Sequence, residues 1–270
     1  MEHRQNKKGL LAVSFGTSVK QTRQHTLEAV EHALEKAFPN RRFYRAWTSG
    51  MLRRKLMQTE GVQILSVEDA LNRMALDSVT DVLVQPTHLL GGEEFQKMQE
   101  TVRSFSDRFH TLAIGDPLLS GEQDVITLAK IMEEMYGDLP SDRLLALMGH
   151  GSNCIPFPAY ALLERQFRKD GYDRFCIGTV EFSPGIAPVL EMIRQTKPRC
   201  VHLAPLLLVA GDHVIRDMCG GEPDSWKSRI EREGVKVVCH LQGLGEYQAV
   251  RQMYVQHAES ASLLWEVTEQ

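Results

Sequence analysis

Short apolar runs alternate along the chain with longer stretches in which apolar residues recur every three or four positions. The runs are Leu10–Phe15, Arg42–Trp47, Asp81–Gln85, Thr111–Ile114, Leu144–Met148, Phe175–Val180, Cys200–Ala204 and Val235–Cys239. Each has the length of a strand, and each is separated from the next by room for a helix. The pattern predicts eight strands with helical crossovers, hence parallel sheets covered on both faces. Right-handed crossovers gather the strand-to-helix loops on one sheet edge, where open α/β sheets bind their ligands.

The two halves of the chain repeat one plan. Leu10-Leu-Ala-Val-Ser-Phe-Gly-Thr-Ser18 lines up with Leu144-Leu-Ala-Leu-Met-Gly-His-Gly-Ser152 at a shift of 134, which also lays Phe43–Trp47 on Ile177–Glu181 and Ser49 on Ser183. At a shift of 119, Pro86 falls on Pro205, Gly92 on Gly211, Glu93 on Asp212 and Glu94 on His213. Three matches in the same order, each at a strand end, predict a duplication. The expected α/β fold has two similar domains, each a four-stranded parallel sheet flanked by helices, facing each other across a cleft. The expected boundaries are 1–122 for the first domain, 123–140 for a helical crossover, 141–245 for the second domain, and 246–270 for a helix returning toward the first.

Composition narrows the function classes. With 270 residues, 43% hydrophobic and 24% charged, the chain has the make-up of a soluble globular protein with a sizeable core. Its formal net charge of −4 argues against a polyanion-binding surface, so neither nucleic acid nor membrane is an expected partner. The longest strongly apolar stretch, Leu203 to Gly211, falls short of the roughly 18 to 20 residues that a membrane helix needs, and Pro205 interrupts it. The apolar run near the start, Leu10 to Val13, is too short for a signal peptide, which points to a cytoplasmic location. Five cysteines, all in the second half and with no Cys-x-x-Cys pair, imply no disulfide framework; Cys176, Cys200 and Cys239 read as small buried residues in or beside strands. No nucleotide is expected, since neither Gly-x-Gly-x-x-Gly nor Gly-x-x-x-x-Gly-Lys-Ser/Thr occurs. The sequence leaves open whether the chain is a monomer or a homo-oligomer.

Three strand ends of the second half carry coordinating side chains: His150 between two glycines, Glu181 after Val180, and His213 after Ala210-Gly-Asp212. In a parallel sheet these ends meet. Two imidazoles and one carboxylate suit a divalent ion such as Co2+, Fe2+, Ni2+ or Zn2+ and leave positions open for an incoming ligand. Each feature also has a purely structural reading, as a tight turn at His150, a capping or ion-paired carboxylate at Glu181, and a helix cap at Asp212-His213.

At this point the residues resemble a known family, the anaerobic sirohydrochlorin cobaltochelatases of the CbiK type, within the class II chelatases. The resemblance spans nearly the whole chain and rests on Val13-Ser-Phe-Gly-Thr-Ser18, Thr48-Ser-Gly-Met51 with Arg54-Lys55-Leu56, His88 through Glu94, Gly115-Asp-Pro-Leu-Leu-Ser120, Met148-Gly-His-Gly151, Val180-Glu181, Leu206 through His213, Asp224-Ser-Trp-Lys227 and Gly243-Leu-Gly-Glu246. It implies insertion of Co2+ into sirohydrochlorin without ATP, in the oxygen-independent route to cobalamin, at a cleft between two α/β domains. Carried over by motif, His150, Glu181 and His213 hold the metal, and His150 and His213 form the catalytic pair. One is ligand and one is base, in a division the sequence does not assign. Neutral histidine, with an ordinary pKa of about 6.5, suits both tasks. Fe2+ or Ni2+ remain alternatives to Co2+, and a carrier that binds metal or tetrapyrrole without turnover remains an alternative to an enzyme.

Glu94 joins the catalytic candidates, since the duplication matches it to His213; its plain reading is a solvated glutamate favoured by a helix dipole. The substrate rim carries many carboxylates, and Gly16-Thr17-Ser18 and Arg54 are candidate donors to them, with capping and a solvated helix face as the structural readings. His88, just past Pro86, is a further substrate-binding candidate. Where family members often carry one or two more histidines after Gly-His-Gly, this chain has Ser152-Asn153-Cys154-Ile155, which puts any accessory role there in doubt and makes Cys154 a softer ligand if it faces the cleft.

Overall fold

The structure, a computed structural model, describes residues 7–152 and 158–266. Among the described residues, nine strands form two sheets. The first contains β1 (Lys8–Ser14), β2 (Arg42–Trp47), β3 (Asp81–Pro86), β4 (Thr111–Ile114) and β9 (Ser262–Glu266), in the order β2-β1-β3-β4-β9. The second contains β5 (Arg143–Gly149), β6 (Phe175–Thr179), β7 (Cys200–Leu206) and β8 (Lys236–Cys239), in the order β6-β5-β7-β8. The chain divides into two compact units, Met1–Leu118 with Arg251–Gln270, and Leu119–Val250.

The shared order of the first four strands in each sheet is the duplication expressed as topology, and all of these pairings are parallel. The hydrogen bonds correct its register, by one residue at β1 and β5 and by two at β2 and β6. β1 and β5 correspond end to end at a shift of 135, not 134. The C=O groups of Ser14 and Phe15 accept from Thr48 and Ser49, while those of Gly149 and His150 accept from Val180 and Glu181. Phe15 therefore occupies the place of His150, Ser49 that of Glu181, and Gly16 that of Gly151; the two glycines share positive φ angles of 106° and 89°. The central strands are buried on both faces, so their apolar runs match almost equally well at either shift and hydropathy alone cannot set the register.

The first sheet differs from the expected four parallel strands by the added β9, which pairs antiparallel with β4. Among the described residues that follow position 246, the helix covers Gln248–Glu259. Ser262-Leu-Leu-Trp-Glu266 is too short an apolar run for its periodicity to tell strand from helix, and pairing with β4 decides it. In the same unit, the Tyr254 hydroxyl of that helix donates to the C=O of Thr87 at 3.0 Å.

One face of the first sheet, with Leu11, Val13, Val82, Val84, Leu112 and Ile114, packs against helices Val67–Leu76 and Glu93–Arg103 through Leu71, Met74, Met98 and Val102. The former helix begins with a capping box between Ser66 and Asp69. In the second unit Leu144, Ala146, Met148, Val201 and Leu203 pack on Val189, Ile193, Val214, Met218, Trp226 and Ile230. Helix Glu122–Tyr136 lies against helix Ala159–Lys169, also in the second unit. Among the described residues, no helix is long and apolar enough to cross a membrane.

The cysteines require a correction. Cys176 and Cys200 are buried free thiols, but Cys239, at the end of β8, forms a disulfide with Cys219, their Cα atoms 6.3 Å apart. A separation of 20 residues across a helix and a strand leaves no local signature in the sequence.

Candidate metal site

The C-terminal ends of β5, β6 and β7 bring His150, Glu181 and His213 together, with one ligand atom from each lying within 4.8 Å of the others. Three local devices build this cluster. After β5 the chain turns at Gly149-His150-Gly151. Gly151 has a φ of 89°, and a Cβ there would stand 2.0 Å from the carbonyl oxygen of Glu181, so only glycine fits. The Glu181 N–H donates to the His150 carbonyl at 2.8 Å, which ties the two candidate ligands together through the main chain. After β7 the chain enters a six-residue π-helix, His213–Met218, in which the Cys219 N–H reaches back to the Val214 carbonyl at 3.1 Å. Val214 and Met218, both at 0% exposure, anchor this segment in the core and leave His213 at its open end.

The two imidazole rings stand edge to face, 83° apart in plane, with centroids 5.3 Å apart. His213 Nε2 lies 3.9 Å from Glu181 Oε1. Nδ1 of His213 is bonded to Asp217 Oδ2 at 2.6 Å, and Nδ1 of His150 faces the Gly151 carbonyl at 3.0 Å. In the neutral ring, carbonyl and carboxylate oxygens can only accept, so both contacts place the proton on Nδ1 and leave the Nε2 lone pair free for a cation. A carboxylate behind a ligating histidine also fixes ring orientation and raises basicity. Asp217 went unnoticed in the sequence; its signal is the four-residue spacing from His213.

The set is open. The side chains of Glu181 and His213 are 46% and 39% exposed, which suits ligand exchange better than permanent storage of an ion. Beside it lies a pocket of about 340 Å³, lined by Thr179, Ile186, Asp217, Asp224, Trp226 and Arg229.

The other candidates belong to the first unit. Glu94 is exposed in the first turn of helix Glu93–Arg103. Gly16 packs its Cα on the Trp47 ring. Thr17 is buried, and its hydroxyl accepts from the Val19 N–H at 3.2 Å. Ser18 is half-buried, and the helix that follows begins only at Lys20, without a side-chain cap. Arg54 is exposed on helix Gly50–Glu60. His88 is half-buried, yet both ring nitrogens are shielded and unpartnered, and burial pushes its pKa down to about 4. Cys154 lies outside the described residues.

Known proteins resemble this chain along nearly its whole length. A family model described as cobalt chelatase (CbiK) matches residues 8–263. A sirohydrochlorin cobaltochelatase of Salmonella typhimurium is 37% identical over 255 residues, covering 94% of this chain and 96% of that protein. Sirohydrochlorin cobaltochelatase CbiKC of Nitratidesulfovibrio vulgaris is 30% identical over 258 residues, covering 94% and 90%. Among solved structures, SirB from Bacillus subtilis with Fe3+ superposes with a TM-score of 0.62 at 14% identity, covering 94% of this chain and 95% of that one. CbiX, described as the terminal enzyme of siroheme biosynthesis in denitrifying bacteria, gives 0.51 at 18%, covering 94% and 100%. The two solved structures share the fold, and the match along nearly the whole sequence places this chain in the CbiK cobalt chelatase family.

Proposed function

We propose that the protein inserts Co2+ into sirohydrochlorin without ATP, the metallation step of anaerobic cobalamin synthesis, with His150, Glu181 and His213 holding the incoming cation. The observation that carries this reading is the convergence of three ligand atoms within 4.8 Å on one exposed sheet edge. Co2+ is a substrate here, so the site must release as well as bind it. Two neutral nitrogens and one carboxylate oxygen form a partial set, and the vacant positions accept the macrocycle nitrogens one at a time.

Insertion exchanges two pyrrole N–H protons for one divalent ion. As the nitrogens take over the metal, a histidine displaced from it regains its Nε2 lone pair and accepts one of those protons, with Asp217 stabilising the imidazolium in the case of His213, while the second proton leaves to solvent water. Ligand and base are thus successive roles of the same ring. Glu94 serves as a further proton or cation acceptor, while Gly16, Thr17, Ser18 and Arg54 meet the tetrapyrrole; the shielded ring nitrogens of His88 speak against a direct contact from that side chain. Co2+ is preferred to Fe2+ and Ni2+, and no nucleotide, nucleic acid or membrane takes part. A homo-oligomer is compatible with this reading.

The test is anaerobic mixing of protein, Co2+ and excess sirohydrochlorin, followed by the tetrapyrrole absorption spectrum. Many turnovers per chain are expected, with Fe2+ and Ni2+ as competitors. Stoichiometric binding without release would instead identify a carrier. Full activity in a His150→Ala/His213→Ala double variant would refute the site.

A further inference from the structure

We infer that Tyr160 is a positioning residue whose buried phenol sets the Gly149-His150-Gly151 turn and thereby the place from which His150 reaches the cation. This rests on reading His150, Glu181 and His213 as the cation-holding set. Tyr160 stands in the first turn of helix Ala159–Lys169 and sends its ring under the end of β5. A Cβ on Gly149 would lie 2.5 Å from the phenol oxygen and 2.6 Å from Cζ, so the ring occupies the space that any larger residue before His150 would need. The phenol oxygen is buried, and the N–H groups of His150 and Gly151 face it without completing a hydrogen bond.

The turn is therefore held from two sides. On one, the Glu181 N–H grips the His150 carbonyl at 2.8 Å, and Gly151 leaves no room beside the Glu181 carbonyl. On the other, the tip of Tyr160 packs against Gly149, where β5 ends its pairing with β6 and β7. The candidate ligand atoms lie within 4.8 Å of one another and must draw in around an ion, for which ligand distances are tolerant to only about 0.2 Å. A turn that shifts by more than that loses His150 as a ligand while the fold stays intact. Tyr160 touches neither metal nor tetrapyrrole in this account; it acts through the main chain of His150.

Tyr160→Phe keeps the ring and removes the oxygen. Co2+ is titrated into the protein without tetrapyrrole and followed by its d–d absorption, alongside steady-state kinetics. The variant is expected to bind Co2+ about tenfold more weakly, with an altered d–d band, a raised KM for Co2+ and an unchanged KM for sirohydrochlorin. A wild-type spectrum and affinity would overturn the inference. Gly149→Ala approaches the same contact from the turn. It is expected to weaken Co2+ binding, and Tyr160→Leu in the same chain is expected to restore part of it; no restoration would equally overturn the contact. His150→Ala separates the two levels. If it leaves Co2+ binding intact, the cation-site reading fails; if it abolishes binding while Tyr160→Phe does not alter it, only the positioning role fails.

Discussion

Glu181 and His150 are joined by their main chains: the N–H of one donates to the C=O of the other at 2.8 Å, directly beyond the last paired residues of β5 and β6. The spacing of the main-chain positions of these two candidate ligands is thus set by the backbone. Gly151 permits it, since its positive φ and the 2.0 Å separation between a would-be Cβ and the Glu181 carbonyl exclude any side chain. Gly151→Ala should therefore fold, with the sheet core untouched, but lose at least tenfold in Co2+ affinity, about the range seen when the supporting shell of a metal ligand is disturbed. Circular dichroism checks the fold and Co2+ absorption the site.

His213 depends on a side chain in place of a backbone bond. Asp217→Asn replaces an acceptor-only carboxylate by an amide that can present either N–H or C=O to Nδ1, so the tautomer is no longer enforced. The expected result is a 10- to 100-fold rise in the Co2+ dissociation constant, about the usual cost of losing such a partner, with stability changed by less than about 1 kcal/mol because the pair is exposed. Direct Co2+ titration together with urea unfolding measures both.

His88 makes stability depend on pH. Its folded pKa, lowered by burial to about 4, lies below its ordinary value of about 6.5. Above pH 6.5 the ring is neutral in both states and exacts no penalty. As pH falls from about 6.5 to about 4, the unfolded chain takes up a proton that the folded one refuses, so stability drops by roughly 3 kcal/mol over that window. His202 and His240, also shifted down by burial, act in the same direction. Glu31, pushed up to about 7 by burial, acts oppositely, because its folded form takes up a proton first as the medium is acidified. Total stability can therefore look flat, and the contrast with a variant is the informative quantity. His88→Leu should be destabilised less than wild type between pH 7 and pH 4.5, as read from urea midpoints.

The Cys219–Cys239 bond closes a loop of 20 residues and ties the segment after His213 to β8. Loop closure of that length contributes about 3 kcal/mol through the unfolded state. Cys219→Ser should lower the stability of oxidised protein by about that amount and have no effect once a reductant has opened the bond in wild type. Equal unfolding midpoints for oxidised and reduced wild-type protein would contradict it.

Much of the architecture was legible because parallel strands buried on both faces write continuous apolar runs. β2 and β4 begin and end where the runs Arg42–Trp47 and Thr111–Ile114 do. The same uniformity hid the register, which hydrogen bonds at Ser14 and Gly149 set one residue away from the best apolar match. β9 was hidden for a different reason, since a five-residue run carries no decisive period and becomes a strand only by pairing with β4. The candidate ligands His150, Glu181 and His213 were legible as strand-end residues. Asp217 was not, because an exposed aspartate in a short helix looks like any solvated residue until its carboxylate is seen on Nδ1.

What the sequence by itself determined is the inventory and its order: which residues end strands, which glycines flank them, and which half carries the imidazoles. Local chemistry suffices for that, since strand periodicity and the steric freedom of glycine act within a few residues. What only the tertiary structure decided is distance. Glu181 is 31 residues from His150 and 32 from His213, and the disulfide partners are 20 apart. Such separations are bridged by parallel pairing and core packing, whose outcome depends on the whole chain at once.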